Sequence, residues 1–242
     1  VDQLSAFDQL HYHGTAALDV ALEIMASGPD QHWLEIGSGI GGPARYLAHR
    51  GGVRVTALEL QADQHELALQ LTRRCGIDSR VHHACGDFLK YEFGDQQFDA
   101  VVSWLALYHI PERAKLLSKC HALLKAGGRF YTEDLCSIGE IGTQQMSDLQ
   151  RDLYAITLPG LAAYRGDLEA AGFAIEACED MTADWSQFTR ERLVAYRADR
   201  ARHVRVHGEA TVDALEHFYN AVEQNFQSGK LGGLRLCAKR VE

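Results

Sequence analysis

The chain has 242 residues, 46% hydrophobic and 24% charged, which suits one sizeable globular core and argues against disorder. Its formal net charge of −9 excludes a global electrostatic grip on nucleic acid or an anionic membrane. Six cysteines without a CxxC pair, no run of 18 apolar residues and no signal-peptide pattern in VDQLSAFDQL predict free thiols and a cytoplasmic protein with no bound metal.

Residues 14–27 carry Ala17, Leu18, Val20, Ala21, Ile24 and Met25 at helical spacing, closed by Gly28-Pro29-Asp30. A short strand, Trp33–Ile36, runs into a glycine-rich turn at 37–42, and a helix follows from Pro43. The pattern continues as a strand over Val53–Leu60, a helix over 61–74, a strand over Arg80–Ala84 and a continuous apolar strand over Phe98–Ser103. A helix over Pro111–Leu124 and a strand over Gly128–Leu135 come next. Strands alternating with helices of this length predict a parallel sheet covered on both faces.

The tail differs. A helix over Ala163–Ala171 ends at Gly172, a strand covers Phe173–Asp180, and about 45 residues of helical pattern precede a last strand at Leu234–Lys239. The helix near 210–227 places Leu215, Phe218, Tyr219, Val222 and Phe226 on one face. The two flanking strands are expected to pair as a hairpin, making the helical stretch an inserted cap. The expected fold is therefore α/β: a Rossmann-like, seven-stranded, mostly parallel sheet with helices on both faces and a helical cap before the last strand. One domain spans 1–242, with an N-terminal lid and helix at 1–30, a cofactor-binding core at 31–135, and substrate-side segments at 136–242 whose cap covers about 183–230.

The central feature is Glu35-Ile36-Gly37-Ser38-Gly39-Ile40-Gly41-Gly42, between a strand and a helix. Glycines let the backbone turn sharply against a ligand, and the first βα turn lies at the sheet edge where ligands bind. Glu59 ends the next strand, 22 positions after Gly37, near the ~20-residue offset of an acid that binds ribose hydroxyls. Gly86-Asp87-Phe88 follows the third strand and offers a carboxylate and an aromatic ring to an adenine. Together these point to an adenosine-containing ligand. A nicotinamide dinucleotide fits the turn alone, but Glu35 would repel its pyrophosphate and suits an ammonium or sulfonium charge instead.

On these residues the chain resembles the class I S-adenosylmethionine-dependent methyltransferases. The segments LEIGSGIGGPARYLA (34–48), VTALEL (55–60), GDF (86–88), FDAVVSWLALYHIPER (98–113) and LKAGGRF (124–130) are similar to that family's successive motifs. The resemblance implies that Glu35 and the backbone of Gly37, Ser38, Gly39 and Gly41 hold the methionine part of S-adenosylmethionine. It implies further that Glu59 binds the ribose, that Leu60, Asp87 and Phe88 surround the adenine, and that Ser103 and Trp104 lie under the methionine end. S-adenosylhomocysteine is then the product.

Two stretches narrow the match. DQLHYHG (8–14) and SWLALYH (103–109) resemble segments of the sarcosine/dimethylglycine and phosphoethanolamine N-methyltransferases. By that likeness His109 and Tyr12 form a dyad over the acceptor, although Leu105 replaces an aspartate of the pattern. Histidine is suited to take an acceptor's proton near neutral pH. His11, His13, Tyr108, Trp185 and Tyr196 are candidate substrate contacts, and His82 and His83 are expected at the surface. Arg190, Arg192, Arg197, Arg200, Arg202 and Arg205 form a basic stretch, most simply a solvated helix face, with one or two arginines available to a substrate anion.

The expected activity is methyl transfer to a nitrogen or oxygen of a small molecule: an amine, an amino-acid-like compound or a phosphobase. Alternatives are C- or O-methylation of an isoprenoid or polyketide, and a non-catalytic S-adenosylmethionine-binding protein. A monomer or homodimer acting on a small molecule, without a nucleic-acid or membrane partner, is expected.

Overall fold

The computed structural model describes residues 1–241. Seven strands form one sheet in the order β3-β2-β1-β4-β5-β7-β6. They are β1 (His32–Ile36), β2 (Arg54–Glu59), β3 (Val81–Cys85), β4 (Phe98–Trp104), β5 (Leu124–Ser137), β6 (Phe173–Asp180) and β7 (Leu231–Arg240). The pairings along β3-β2-β1-β4-β5 are parallel, and β7 runs antiparallel to both β5 and β6. The order reverses between β1 and β4, so their C-terminal ends open the crevice where ligands of such sheets bind.

The helices are α1 (Thr15–Ile24), α2 (Gly42–Arg50), α3 (Ala62–Arg74), α4 (Arg113–Leu123), α5 (Thr143–Leu153), α6 (Leu161–Ala170), α7 (Thr182–Ala198), α8 (Arg200–His207) and α9 (Glu209–Gln227). Side chains alternate across a strand, so each strand feeds both faces. Trp33 of β1 joins Leu18 and Ala21 of α1 and Leu47 of α2 in one core. Its neighbours Leu34 and Ile36 join Leu116 and Leu117 of α4 and Leu168 of α6 in the other. A third apolar cluster lies beyond the sheet and gathers Tyr12, Tyr108, Leu135, Leu149, Leu153, Trp185 and Phe226.

The expected hairpin of β6 and β7 forms, and α7, α8 and α9 are the insertion between its arms. Among the described residues no helix is long and apolar enough to cross a membrane. Several expectations are corrected. Helix α5 falls in a stretch to which no element was assigned. Leu215 is 37% exposed, unlike Val222 and Phe226 on the same helix: the first half of α9 packs against α8, which itself buries no residue. His83 is buried, because its side chain shares the inner face of β3 with Val81 and bonds the Thr72 hydroxyl at 2.8 Å; only His82 is exposed.

Trp185 of α7 is fully buried against the backbone of Gly233 in β7, and a Cβ there would overlap its ring. Gly233→Ala is expected to cost about 1–3 kcal/mol through overpacking, read as a lower midpoint in thermal or urea denaturation.

Candidate active site

The chain leaves β1 through Gly37, in left-handed backbone at φ 73°. A Cβ at that position would collide with the Cβ of Ala106, just past β4. The N–H groups of Gly37 and Ser38 donate to the Leu58 carbonyl of β2 at 2.9 and 3.0 Å, which pins the turn to the sheet. Glu35 precedes the turn, 1% exposed, and its Oε2 has no hydrogen-bond partner. Burial pushes its pKa well above the usual carboxylate range; Arg45 and the Ala44 N–H oppose the shift and Glu59 adds to it. The Ser38 hydroxyl is sealed and unpartnered as well. Buried polar atoms left unpaired cost about 1–3 kcal/mol each, so a donor aimed at this turn would relieve a standing penalty.

Glu59, at the end of β2, is also buried. Its two oxygens accept from the Gly39 N–H at 2.7 Å and the Gln61 N–H at 2.8 Å. A carboxylate has about four acceptor positions, so it retains acceptors for a diol. Leu60, 67% exposed, stands beside it at the sheet edge. Asp87 lies after β3, where its Oδ1 accepts from the Leu89 N–H at 2.9 Å and its Oδ2 is 3.2 Å from the Lys90 ammonium. Phe88 is not free for a base: it is buried, packs with Phe93 and lies in the core beneath α4.

Residues 8–14 fold over this turn. Asp8 accepts from the Arg45 guanidinium at 2.8 Å, and both side chains are almost wholly buried. Arg45 also donates to the Thr72 hydroxyl at 3.2 Å. Gly42 lets the segment lie on α2, since a Cβ there would overlap the Asp8 carbonyl. Sequence reasoning missed this anchor, although a charge inside PARYLA (43–48), a helix turn buried on every side, was the available signal. His11 bonds the Gly14 carbonyl at 2.9 Å and leans on Trp104, with ring centroids 5.9 Å apart. Burial lowers its pKa to about 4, so the ring is neutral at physiological pH. Tyr12 packs against Trp185 and Phe188 at 4.9 and 5.3 Å. His13 stands 2.5 Å from Asp184 of α7.

The end of β4 closes the other side. Ser103 donates to the Ile36 carbonyl at 2.9 Å. Trp104 is buried beside Tyr131. Leu105 holds a positive φ of 52°, a strained backbone for a residue with a Cβ, and its N–H donates to the Glu133 carbonyl. The Glu133 side chain accepts from the Tyr131 hydroxyl and from Arg235, both at 2.8 Å. His109 Nδ1 is 3.0 Å from the Tyr154 carbonyl. A carbonyl only accepts, so Nδ1 carries the proton and Nε2 keeps its lone pair. Burial lowers the His109 pKa, while the Tyr154 carbonyl and the Glu59 charge act the other way.

Glu35, Gly37, Ser38, Gly39, Gly41, Glu59, Leu60, Ser103 and Trp104 thus meet at or beside one sheet edge, with His109, Tyr108, Tyr12 and Trp185 on its outer side. The tyrosine ring against His109 is Tyr108, at 3.9 Å, and no hydrogen bond joins Tyr12 to His109 among the described residues. Tyr12 and Tyr108 share the apolar cluster instead. Tyr196 lies apart from them, stacked on His203 at 4.5 Å and edge-on to Tyr219 within the cap. Tyr154, the carbonyl partner of His109, carried no sequence signal.

A family described as "Methyltransferase domain" matches residues 34–132. A sarcosine/dimethylglycine N-methyltransferase of Halorhodospira halochloris is 28% identical over 207 residues, 86% of this chain and 73% of that protein. A 24-methylenesterol C-methyltransferase of Arabidopsis thaliana is 25% identical over 232 residues, 88% of this chain and 63% of that one. Among solved structures, a phosphoethanolamine N-methyltransferase of Haemonchus contortus, in complex with phosphomonomethylethanolamine and S-adenosylhomocysteine, superposes with a TM-score of 0.87 at 23% identity. That likeness covers 97% of this chain and 55% of the other.

Asp8→Ala leaves Arg45 buried without its counter-charge, a loss of about 3–5 kcal/mol. Limited proteolysis is expected to cut within residues 1–14 of this variant under conditions that leave the unaltered protein intact.

Proposed function

Since the chain is a class I S-adenosylmethionine-dependent methyltransferase, we propose that it moves the donor's methyl group to a nitrogen or oxygen of a small amine, amino-acid-like compound or phosphobase. The observation that carries this reading is the sealed Glu35 carboxyl, unpartnered at one oxygen, at the mouth of the glycine turn. Glu35 receives the donor's ammonium group, Ser38 and the Gly37–Gly41 backbone line its methionine portion, and Glu59 takes the ribose hydroxyls. Leu60 and Asp87 border the adenine, and Phe88 supports that wall from the core. When bound, the donor supplies an electrophilic methyl group on a sulfonium, so the protein's work is alignment, exclusion of water and removal of the acceptor's proton.

His109 is the base. Its Nδ1–H is held by the Tyr154 carbonyl, its Nε2 is free, and its lowered pKa keeps it unprotonated at neutral pH. Tyr108 orients the ring by packing against it at a tilt of 41°. Tyr12, His11 and His13 close the lid against Trp185 and Asp184 and dry the site, which strengthens every charge interaction inside it. The free cysteines, among them the exposed Cys85, agree with a cytoplasmic setting, and a monomer or homodimer suffices because one chain supplies all these groups.

A second reading, methylation of carbon or oxygen on an isoprenoid or polyketide, is favoured by the apolar side chains Leu135, Leu149 and Leu153 behind Tyr12 and by Leu105 at the edge of β4. Labelled donor and a panel of amines, phosphobases and prenyl compounds separates the two. Labelled product from the amines or phosphobases supports the first, product from the prenyl compounds alone supports the second, and no product with any acceptor overturns both.

Two further outcomes are expected. Glu35→Gln weakens S-adenosylhomocysteine binding by about 1.5–3 kcal/mol, the worth of a charge-assisted hydrogen bond, in calorimetric titration. For His109 the sign follows from the base's need for a lone pair: at saturating donor, kcat/KM for the acceptor is present above the lowered pKa and falls as pH drops through it. The acid limb therefore lies below the ordinary imidazole value of about 6.5. His109→Gln removes that limb and lowers kcat about 10²–10⁴-fold while S-adenosylhomocysteine still binds.

A further inference from the structure

We propose that Arg192, on the inner face of α7, is a specificity-determining residue that binds an anionic group, carboxylate or phosphate, at the end of the methyl acceptor remote from the reacting atom. The inference rests on the methyl-transfer reading and deepens it.

The cap's arginines divide by their partners, and the exposed Arg205 of α8 meets no acid among the described residues. Arg190, Arg197, Arg200 and Arg202 each meet an acid, at Glu223, Glu216, Asp213 and Asp199 respectively, and form the solvated face that the sequence suggests. Arg192 is half-buried and, among the described residues, has no carboxylate within ion-pair distance. Its guanidinium lies over the Tyr219 ring, 4.6 Å from the centroid, and donates once to the Tyr219 hydroxyl at 3.2 Å. A guanidinium has five N–H donors in a planar fork that matches carboxylate and phosphate. One is used here, and the contacts with the Tyr219 ring and hydroxyl hold the group in place.

Its place on α7 puts it next to the residues that meet the lid. Trp185, Phe188 and Arg192 follow one another at i, i+3 and i+7, so they share one stripe of α7. The first two are the residues that touch Tyr12, and Phe188 also packs on His13 at 4.5 Å. Arg192 is the next turn of the same stripe, and its charge is felt at both the His11 ring and the Tyr12 phenol. Of the acids in this region, Glu133 is paired with Arg235 and Asp184 with His13, while Asp134 accepts from the Tyr164 hydroxyl at 3.1 Å through one oxygen and leaves the other unpartnered. Of the α7 arginines, Arg192 alone lacks a carboxylate partner among the described residues, and it shares the stripe that meets the lid. An acceptor of complementary chemistry places its anion at Arg192 and its nucleophile at His109.

The test uses the whole protein and its Arg192→Met and Arg192→Lys variants. S-adenosylhomocysteine affinity is measured first, by calorimetry. The protein saturated with it is then titrated with phosphoethanolamine, sarcosine and ethanolamine, the last carrying no anion. The expected result is that one of the two anionic amines binds on the order of 10- to 100-fold more tightly than ethanolamine, the range of a charge-assisted contact. Which one it is separates phosphate from carboxylate. Arg192→Met erases that preference without changing S-adenosylhomocysteine affinity, and Arg192→Lys restores part of it. Equal binding of all three amines overturns the proposal, as does a preference that survives Arg192→Met or a loss shared equally by ethanolamine. Failure of the unaltered protein to take up S-adenosylhomocysteine overturns the methyl-transfer reading, and the anion subsite with it. Uptake without a preference removes the subsite alone.

Discussion

Glu35 is a carboxyl sealed at the end of β1, where burial disfavours its charged form. Arg45, which also influences it, is already committed to Asp8. Removing a buried ion's water without a partner costs several kcal/mol, so the free protein favours the protonated acid. A ligand that brings an ammonium group to the turn pairs the charge and satisfies the orphaned oxygen in one step. The remaining features of the cofactor end follow from that point: the bare backbone at Gly37, the second carboxylate on β2, and the reversal of strand order that leaves a crevice between β1 and β4.

The lid and the cap depend on a second buried ion pair. Arg45 rises from α2, directly after the glycine turn, and takes Asp8 from the N-terminal segment. The same helix that opens at the donor's site therefore fixes the lid above it. Gly42 permits the close approach, and the lid in turn meets the cap through Tyr12 with Trp185 and through His13 with Asp184. Donor site, lid and cap are thus linked through three contacts of different chemistry: a buried ion pair, an aromatic edge and a partly exposed histidine–carboxylate pair. The first two are buried and the third is partly exposed, so the histidine–carboxylate pair contributes least, about 0–1 kcal/mol.

The alternation of strand and helix, the glycine turn and the hairpin at the end of the chain were legible because each is a local pattern. Periodicity marks which side chains are buried, and glycine marks where the backbone must turn. What the sequence concealed is contact across distance. Arg45 reads as a helix residue until Asp8, 37 positions earlier, is seen against it. Phe88 follows an acid at a strand end and looks like an adenine wall, yet its ring has more apolar surface to cover in the core beneath α4. Tyr196 has the aromatic character of a substrate contact, but its position on α7 sends it towards α8 and α9. His109 was legible as a candidate base, whereas the carbonyl bonded to its Nδ1 comes from Tyr154, which ends α5 45 positions further along the chain.

The measurement that bears most directly on the account is the proton balance of cofactor binding. S-adenosylhomocysteine is titrated calorimetrically into the protein at fixed pH, in two buffers of different ionisation enthalpy. If Glu35 is protonated when free and paired with an ammonium when bound, the protein releases a proton, its affinity rises with pH, and the release vanishes in Glu35→Gln. Binding that exchanges no proton, or a release that persists in that variant, would contradict the role assigned to the buried carboxyl.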